Sequence, residues 1–137
     1  MKTFDNVAKL KLATLTTGQF VETGGYYTKG GGGAAKYLIV APQAADGYGD
    51  HVLANGNVAV LQNKPNSTPK QWGAIGADGT DDDFPALEAY MLYFFDLGSS
   101  NEIVIGTTNL DSGANYGIDG RLHLLNINVN GNGAQFT

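Results

Sequence analysis

The most regular apolar spacing in this chain lies near its middle. Leu87, Tyr90, Met91, Phe94 and Phe95 fall at i, i+3, i+4, i+7 and i+8, the period of a helix that buries one face. Tyr93 and Leu97 widen the stripe, while Leu92 projects to the opposite side with Glu88, Ala89 and Asp96. Pro85 suits the first turn, where a missing N–H costs nothing, and Gly98 supplies a stop. The remaining pattern is strand-like. Residues 19–23 and 36–40 read as strands, and residues 53–61 as paired strands around Asn55-Gly56, the dipeptide favoured by a type I′ turn. Residues 102–106 and 122–129 read as later strands, with Asn126, Asn128 and Asn130 alternating against Ile127 and Val129. That alternation suits a solenoid coil, which buries its faces only by stacking on a neighbour. Near the start, Asp5 or Asn6 caps a short helix through Val7 and Leu10, with Lys9 and Lys11 facing water.

Composition agrees with a β-rich fold. Twenty glycines among 137 residues, with 15% charged residues, point to short strands and tight turns, and the length allows one domain or two small ones. The net charge of −5 and the scattered lysines and arginines leave out a phosphate-backbone footprint, so nucleic acid is set aside. No apolar run is long enough to span a bilayer, and the first residues do not open a signal peptide, so membrane insertion is not expected and synthesis in a cytoplasm is. Without cysteine there is neither a disulfide framework nor a thiolate metal site. Gly30 to Gly33 invite a phosphate-loop reading, but no Gly-Lys-Ser/Thr follows and no helix opens there. A turn-rich stretch runs from Pro42 to Asp50, and a polar stretch with Pro65 and Pro69 reads as a linker over 65–71. Asn66-Ser67-Thr68 matches a glycosylation acceptor that has no meaning without a secretory signal.

Residues 72–84 form a glycine-punctuated turn that delivers Asp78, Asp81, Asp82 and Asp83 to the start of the amphipathic helix. With Gly79, these acids are assigned to the hinge and to helix capping, because carboxylates accept the unpaired N–H groups of a first turn and suit its dipole. The stretch resembles the "FGAxGDGxTDD" opening of pectate-lyase-like right-handed β-helix proteins, with Trp72 in place of the usual Phe and one residue fewer before Thr80. Residues 15–39, with Gly18, Val21, Gly25-Tyr26-Tyr27, the glycine run and Tyr37, resemble a module found near the N-terminus of many phage tailspikes. Lys29 and Gly30 stand where that module has Gly-Asp, so its acid has no counterpart here.

The expected fold is mainly β with a short N-terminal helix and one amphipathic helix. A small β domain over 1–64 leads through the linker to the hinge motif, the capping helix and the first coils of a right-handed parallel β-helix over 72–137. The alternation running up to Thr137 leads us to expect a natural polypeptide that continues further. The resemblance implies the virion-anchoring region of a homotrimeric bacteriophage tailspike or tail fibre, made in the host cytoplasm and carried on the phage tail. Its partners would be a baseplate or other tail protein and, through later coils, a bacterial surface polysaccharide. The alternative is the N-terminal part of a free β-helix polysaccharide lyase or hydrolase.

No catalytic residue, metal ligand or cofactor is assigned, and this stretch by itself is expected not to cleave polysaccharide, whereas the full-length protein would be a depolymerase. His51 and His123 have no ligand-spaced neighbours and read as strand or surface residues. Trp72, Tyr26, Tyr27 and Tyr37 offer ring faces for a sugar, the basis of a third reading as a small carbohydrate-binding module, against the commoner fate of core packing. Leu92 and Tyr93 exceed what one core needs and are assigned to a trimer interface.

Overall fold

The computed structural model describes residues 1–77, 79, 81–99, 108–111, 113–116, 129–130 and 133–136. They form two units, Met1–Lys64 and Pro65–Thr137. The first is a five-stranded sheet in the order β1-β2-β3-β5-β4, from β1 (Lys2–Phe4), β2 (Phe20–Thr23), β3 (Ala35–Val40), β4 (His51–Val52) and β5 (Val58–Leu61). β1 lies parallel to β2 and the other neighbours are antiparallel. The period of two sorts the side chains. Val21, Thr23, Ala35, Tyr37, Ile39, His51, Ala59 and Leu61 share one face and are buried, joined by Val7, Leu10, Leu15 and Leu53, while Val58 is buried on the opposite face. The other face carries two apolar rows in register, Phe20–Leu38–Val60 and Val40–Val58–Val52. Phe20 and Val52 there are 52% and 50% exposed.

Helix α1 (Val7–Leu12) settles its cap on Asn6, whose Oδ1 accepts from Lys9 N at 2.9 Å, while Asp5 pairs with Lys9 Nζ at 2.7 Å. Strand β1 has no signature in the sequence, being three residues long and mostly exposed. The Asn55-Gly56 turn does join β4 to β5, but it is not type I′. Only Gly56 takes positive φ (89°); Asn55 does not. Leu53 N donates to Asn57 O at 2.8 Å, so the loop is longer than two residues. The reason lies in the Asn55 side chain, which accepts from Asn57 N and donates to Leu15 O at 3.0 Å, while Asn57 Nδ2 donates to the same carbonyl at 2.9 Å. The glycine-rich segment from Gly24 to Gly33 is a closed loop, cross-tied by Gly30 N to Gly24 O and Tyr26 N to Gly32 O.

In the second unit the stretch expected to be a linker is folded. It is taken up largely by 3-10 turns that start at Lys64 (Lys64–Asn66) and end at Trp72 (Pro69–Trp72), with Ser67 and Pro69 buried. Helix α2 (Phe84–Ser99) follows the predicted stripe: Leu87, Tyr90, Met91 and Phe94 are all buried, with Ala86. Gly98 lies inside its last turn instead of ending it, and the side chains of Phe95 and Leu97 fall outside the described residues. Beyond the helix, β6 (Thr108–Asn109) pairs in parallel with β8 (Val129–Asn130), and β7 (Asn115–Tyr116) with β9 (Gln135–Phe136). The chain therefore returns to the same place after 21 residues in one column (108 to 129) and 20 in the other (115 to 135). Parallel return at a fixed step is how solenoid coils stack. Residues 102–106 and 122–128 lie outside the described residues.

Candidate functional site

The junction that starts the coils holds the most concentrated set of acids in the chain. Gly73 (φ 103°) ends the turn at Pro69–Trp72 and releases the backbone into the irregular run Ala74-Ile75-Gly76. That run is held by Asp83. Its carboxylate is 2% exposed, with Oδ1 accepting from Ile75 N at 2.7 Å and Oδ2 from Gly76 N at 2.9 Å. Its own carbonyl accepts the first helical bond, from Leu87 N at 2.9 Å. Asp83 thus occupies the cap position, but its side chain reaches back to the hinge and not forward to the first turn. A side-chain cap is supplied instead by Asp82, whose Oδ1 accepts from Phe84 N at 3.1 Å. Asp81 is partly exposed, Gly79 takes φ 80°, and Asp78 lies outside the described residues.

Under the helix lies a polar network that sequence reasoning missed. Trp72 is 1% exposed; its Nε1 donates to Ser67 Oγ at 2.9 Å, and Tyr90 Oη donates to Ser67 O at 3.1 Å. The serine of the glycosylation-like triplet is therefore a buried acceptor for two aromatic donors. Asp111 accepts from Thr68 Oγ1 at 2.6 Å, Lys70 N at 3.0 Å and Tyr116 Oη at 2.7 Å, tying the first coil to the turn before the hinge. Burial, followed by the Asp111 carboxylate, pushes the Tyr116 hydroxyl far above its ordinary pKa, so it stays a donor. One signal for this region was present: Thr68-Pro69-Lys70-Gln71 has the spacing of a capping box, and Gln71 Oε1 accepts from Thr68 N. A second was Gly113-Ala114-Asn115-Tyr116 repeating as Gly133-Ala134-Gln135-Phe136, which places the Tyr116 and Phe136 rings 5.7 Å apart in successive coils.

Other assigned residues sort plainly. Leu92 is 50% exposed on the outer side of α2. Tyr93 is half-buried, with its ring 5.8 Å from Trp72 and 5.2 Å from Phe94, and burial raises its hydroxyl pKa. The sugar-platform reading fails because Trp72 and Tyr37 are buried, and Tyr26 is committed through its hydroxyl to Tyr48 O at 3.2 Å; Tyr27 alone is well exposed. His51 is a strand residue, and fully buried, while His123 lies outside the described residues. Among the described residues no group of three acids, histidines or cysteines is placed to hold a metal ion, and no helix is long and apolar enough to cross a membrane.

Mainly β, with two helices and parallel strand pairs that recur after 20 to 21 residues, the chain has a fold like that of tailspike-like parallel β-helix proteins. No family model and no curated protein matches the sequence. Solved structures do match. Tailspike gp49 of Acinetobacter baumannii bacteriophage Fri1, a capsular polysaccharide depolymerase, aligns with a TM-score of 0.64 and 21% identity over 80% of this chain and 20% of its own. Full-length tailspike protein 2 of an Escherichia coli O157:H7 bacteriophage aligns at 0.60 and 16% identity, over 84% of this chain and 14% of its own. Pantoea stewartii WceF, a glycan biofilm modifying enzyme with a tailspike-like parallel β-helix, aligns at 0.61 and 16% identity, over 85% and 17%. At these identities the likeness is one of fold, and the chain spans a fifth or less of the length of each.

Proposed function

We propose that this chain is the N-terminal structural and attachment region of a homotrimeric phage tailspike. Residues 1–64 anchor to a baseplate or other tail protein, and residues 72–137 open a β-helix whose later coils bind or depolymerise a bacterial surface polysaccharide. The observation that carries the reading is the order of elements: a small separate sheet, then an acid-held hinge, a capping helix and the first parallel coils. The exposed Phe20 and Val52, at the ends of two apolar rows on the second face of that sheet, support an attachment role, since a sheet face meant for water carries polar residues.

Deleting codons 1–64 from the gene in its phage is expected to give particles without the spike, while the truncated protein accumulates free and soluble. Particles that still carry it refute the anchoring role. The trimer interface is assigned to Leu92 and the open edge of Tyr93. Replacing Leu92 with glutamate would place a carboxylate in that interface, so light scattering should find the variant dissociated. A variant that stays trimeric with unchanged thermal stability removes Leu92 from the contact. The alternative, the N-terminal part of a free polysaccharide lyase or hydrolase, draws on the likeness to the Pantoea enzyme. It predicts that the deletion leaves no particle phenotype at all.

A further inference from the structure

Outside the hinge, the first unit buries a titratable group that nothing above uses. His51 lies on β4, an edge strand of two residues, and is 1% exposed. The Tyr26 and Tyr37 rings meet its imidazole edge-on at 5.6 and 5.8 Å. Its Nε2 is buried without a hydrogen-bond partner, and so is Tyr37 Oη. These two atoms would bond each other if they were within reach, so neither serves the other. A neutral imidazole tolerates one bare acceptor, whereas an imidazolium carries two donors and a charge.

We propose that the Tyr26–His51–Tyr37 cluster is an acid-sensitive latch: a proton taken up by His51 drives β4 and the turn before it off the edge of the sheet. The inference stands apart from the tailspike reading.

The groups facing His51 do not offset the cost of burying its charged form. Lys11, from α1, opposes it. Asp46, Asp50 and a backbone hydrogen bond to Tyr48 favour it, but burial outweighs them and each of these acceptors already serves other donors. Asp46 Oδ1 accepts from the backbone N–H groups of Tyr48, Gly49 and Asp50 at 2.9 to 3.0 Å. Asp50 accepts from Leu61 N and from Lys64 Nζ, both at 3.0 Å. The Tyr48 carbonyl takes the Tyr26 hydroxyl, and burial holds both tyrosine hydroxyls protonated. Burial, with Lys11 second, brings the His51 pKa from 6.5 down to about 4. The released form binds the proton more readily than the closed form. Closure is therefore fully stable above the ordinary histidine pKa and is lost as pH falls from there towards about 4. β4 is what yields, because it is an edge of two residues, whereas β3 is paired on both sides.

The test is amide hydrogen exchange by NMR on the whole 137-residue chain, expressed as protection factors so that intrinsic pH effects cancel. The Leu53 and Leu61 amides report the latch through Asn57 O and Asp50 Oδ1, and the Ile39 amide, bonded to Gln19 O, reports the sheet interior. Between about pH 7 and pH 4.5, protection at Leu53 and Leu61 should fall about tenfold or more while Ile39 is spared. His51→Phe should abolish that selective loss. Equal loss at all three amides overturns the latch, as does an unchanged acid response in His51→Phe. Should that variant fail to fold, the wild-type comparison and the His51 ring titration decide, an ordinary midpoint in the intact sheet being contrary.

Discussion

Replacing Asp83 with alanine is expected to destabilise the second unit by about 3–5 kcal/mol, since charge-assisted hydrogen bonds contribute about 1.5–3 kcal/mol each and the donors left behind are poorly hydrated. Two bonds are lost together, at 2.7 and 2.9 Å, and one of them lies in a fully buried setting. The hinge then has no other described carboxylate holding Ile75 and Gly76, and α2 loses its tie to the run that precedes it. Denaturant unfolding followed by the fluorescence of Trp72, the single tryptophan and a close neighbour of the hinge, reads the effect directly. Asp82→Ala is the control. Its exposed bond to Phe84 N is an ordinary cap, so about 1 kcal/mol is expected. Equal losses from the two variants would mean that Asp83 acts only as one more acid near a helix start.

Gly25→Ala is expected to cost the first unit about 3 kcal/mol or more, at or beyond the upper end of ordinary overpacking. A Cβ on Gly25 would land inside the Thr28 carbonyl. That obstacle is backbone, which cannot turn aside as a side-chain tip can. The loop from Gly24 to Gly33 would have to open, and with it the bond from Tyr26 N to Gly32 O and the seat of the Tyr26 ring against His51. Gly30→Ala separates crowding from backbone preference. A Cβ there meets nothing within 4 Å but must adopt φ 78°, so about 1–2 kcal/mol is expected. Near-ultraviolet circular dichroism through a thermal ramp compares the two variants. A smaller loss for Gly25→Ala than for Gly30→Ala would show that the loop is slack.

What the sequence disclosed and what it withheld divide along physical lines. Leu87, Tyr90, Met91 and Phe94 declared α2 because one face of a helix repeats at a period that a dozen residues suffice to show. Strands β2, β3 and β5 were legible from their apolar runs, and the tailspike-like β-helix fold through the resemblances carried by residues 15–39 and 72–84. The direction in which Asp83 turns was not legible. A carboxylate before a helix can satisfy donors on either side, and the folded path of Ile75 and Gly76 decides the matter. Asp111 was missed for a related cause. Its partners Thr68 and Lys70 lie more than 40 residues away and carry no spacing that announces them. His51 looked like any strand histidine because burial belongs to the sheet as a whole. The Asn55-Gly56 dipeptide marked the hairpin correctly and its turn type wrongly, since the Asn55 amide found Leu15 O and took up the slack of a longer loop.

The hinge carries one bond whose meaning lies in time and not in strength. Asn115 N donates to Gly76 O at 3.0 Å, and in the next coil Gln135 N donates to Ala114 O at 2.9 Å. The second bond repeats the first, one layer on. The backbone held by Asp83 is therefore the starting edge on which the first coil is laid, as that coil is for the second. Asp83 closes a contact of only seven to eight residues, whereas each coil must bring back about 20, and short closures precede long ones in a folding chain. Chains also emerge from the ribosome N-terminus first. A starting edge that closes before the coils is expected to make growth directional, each new layer finding its template already in place.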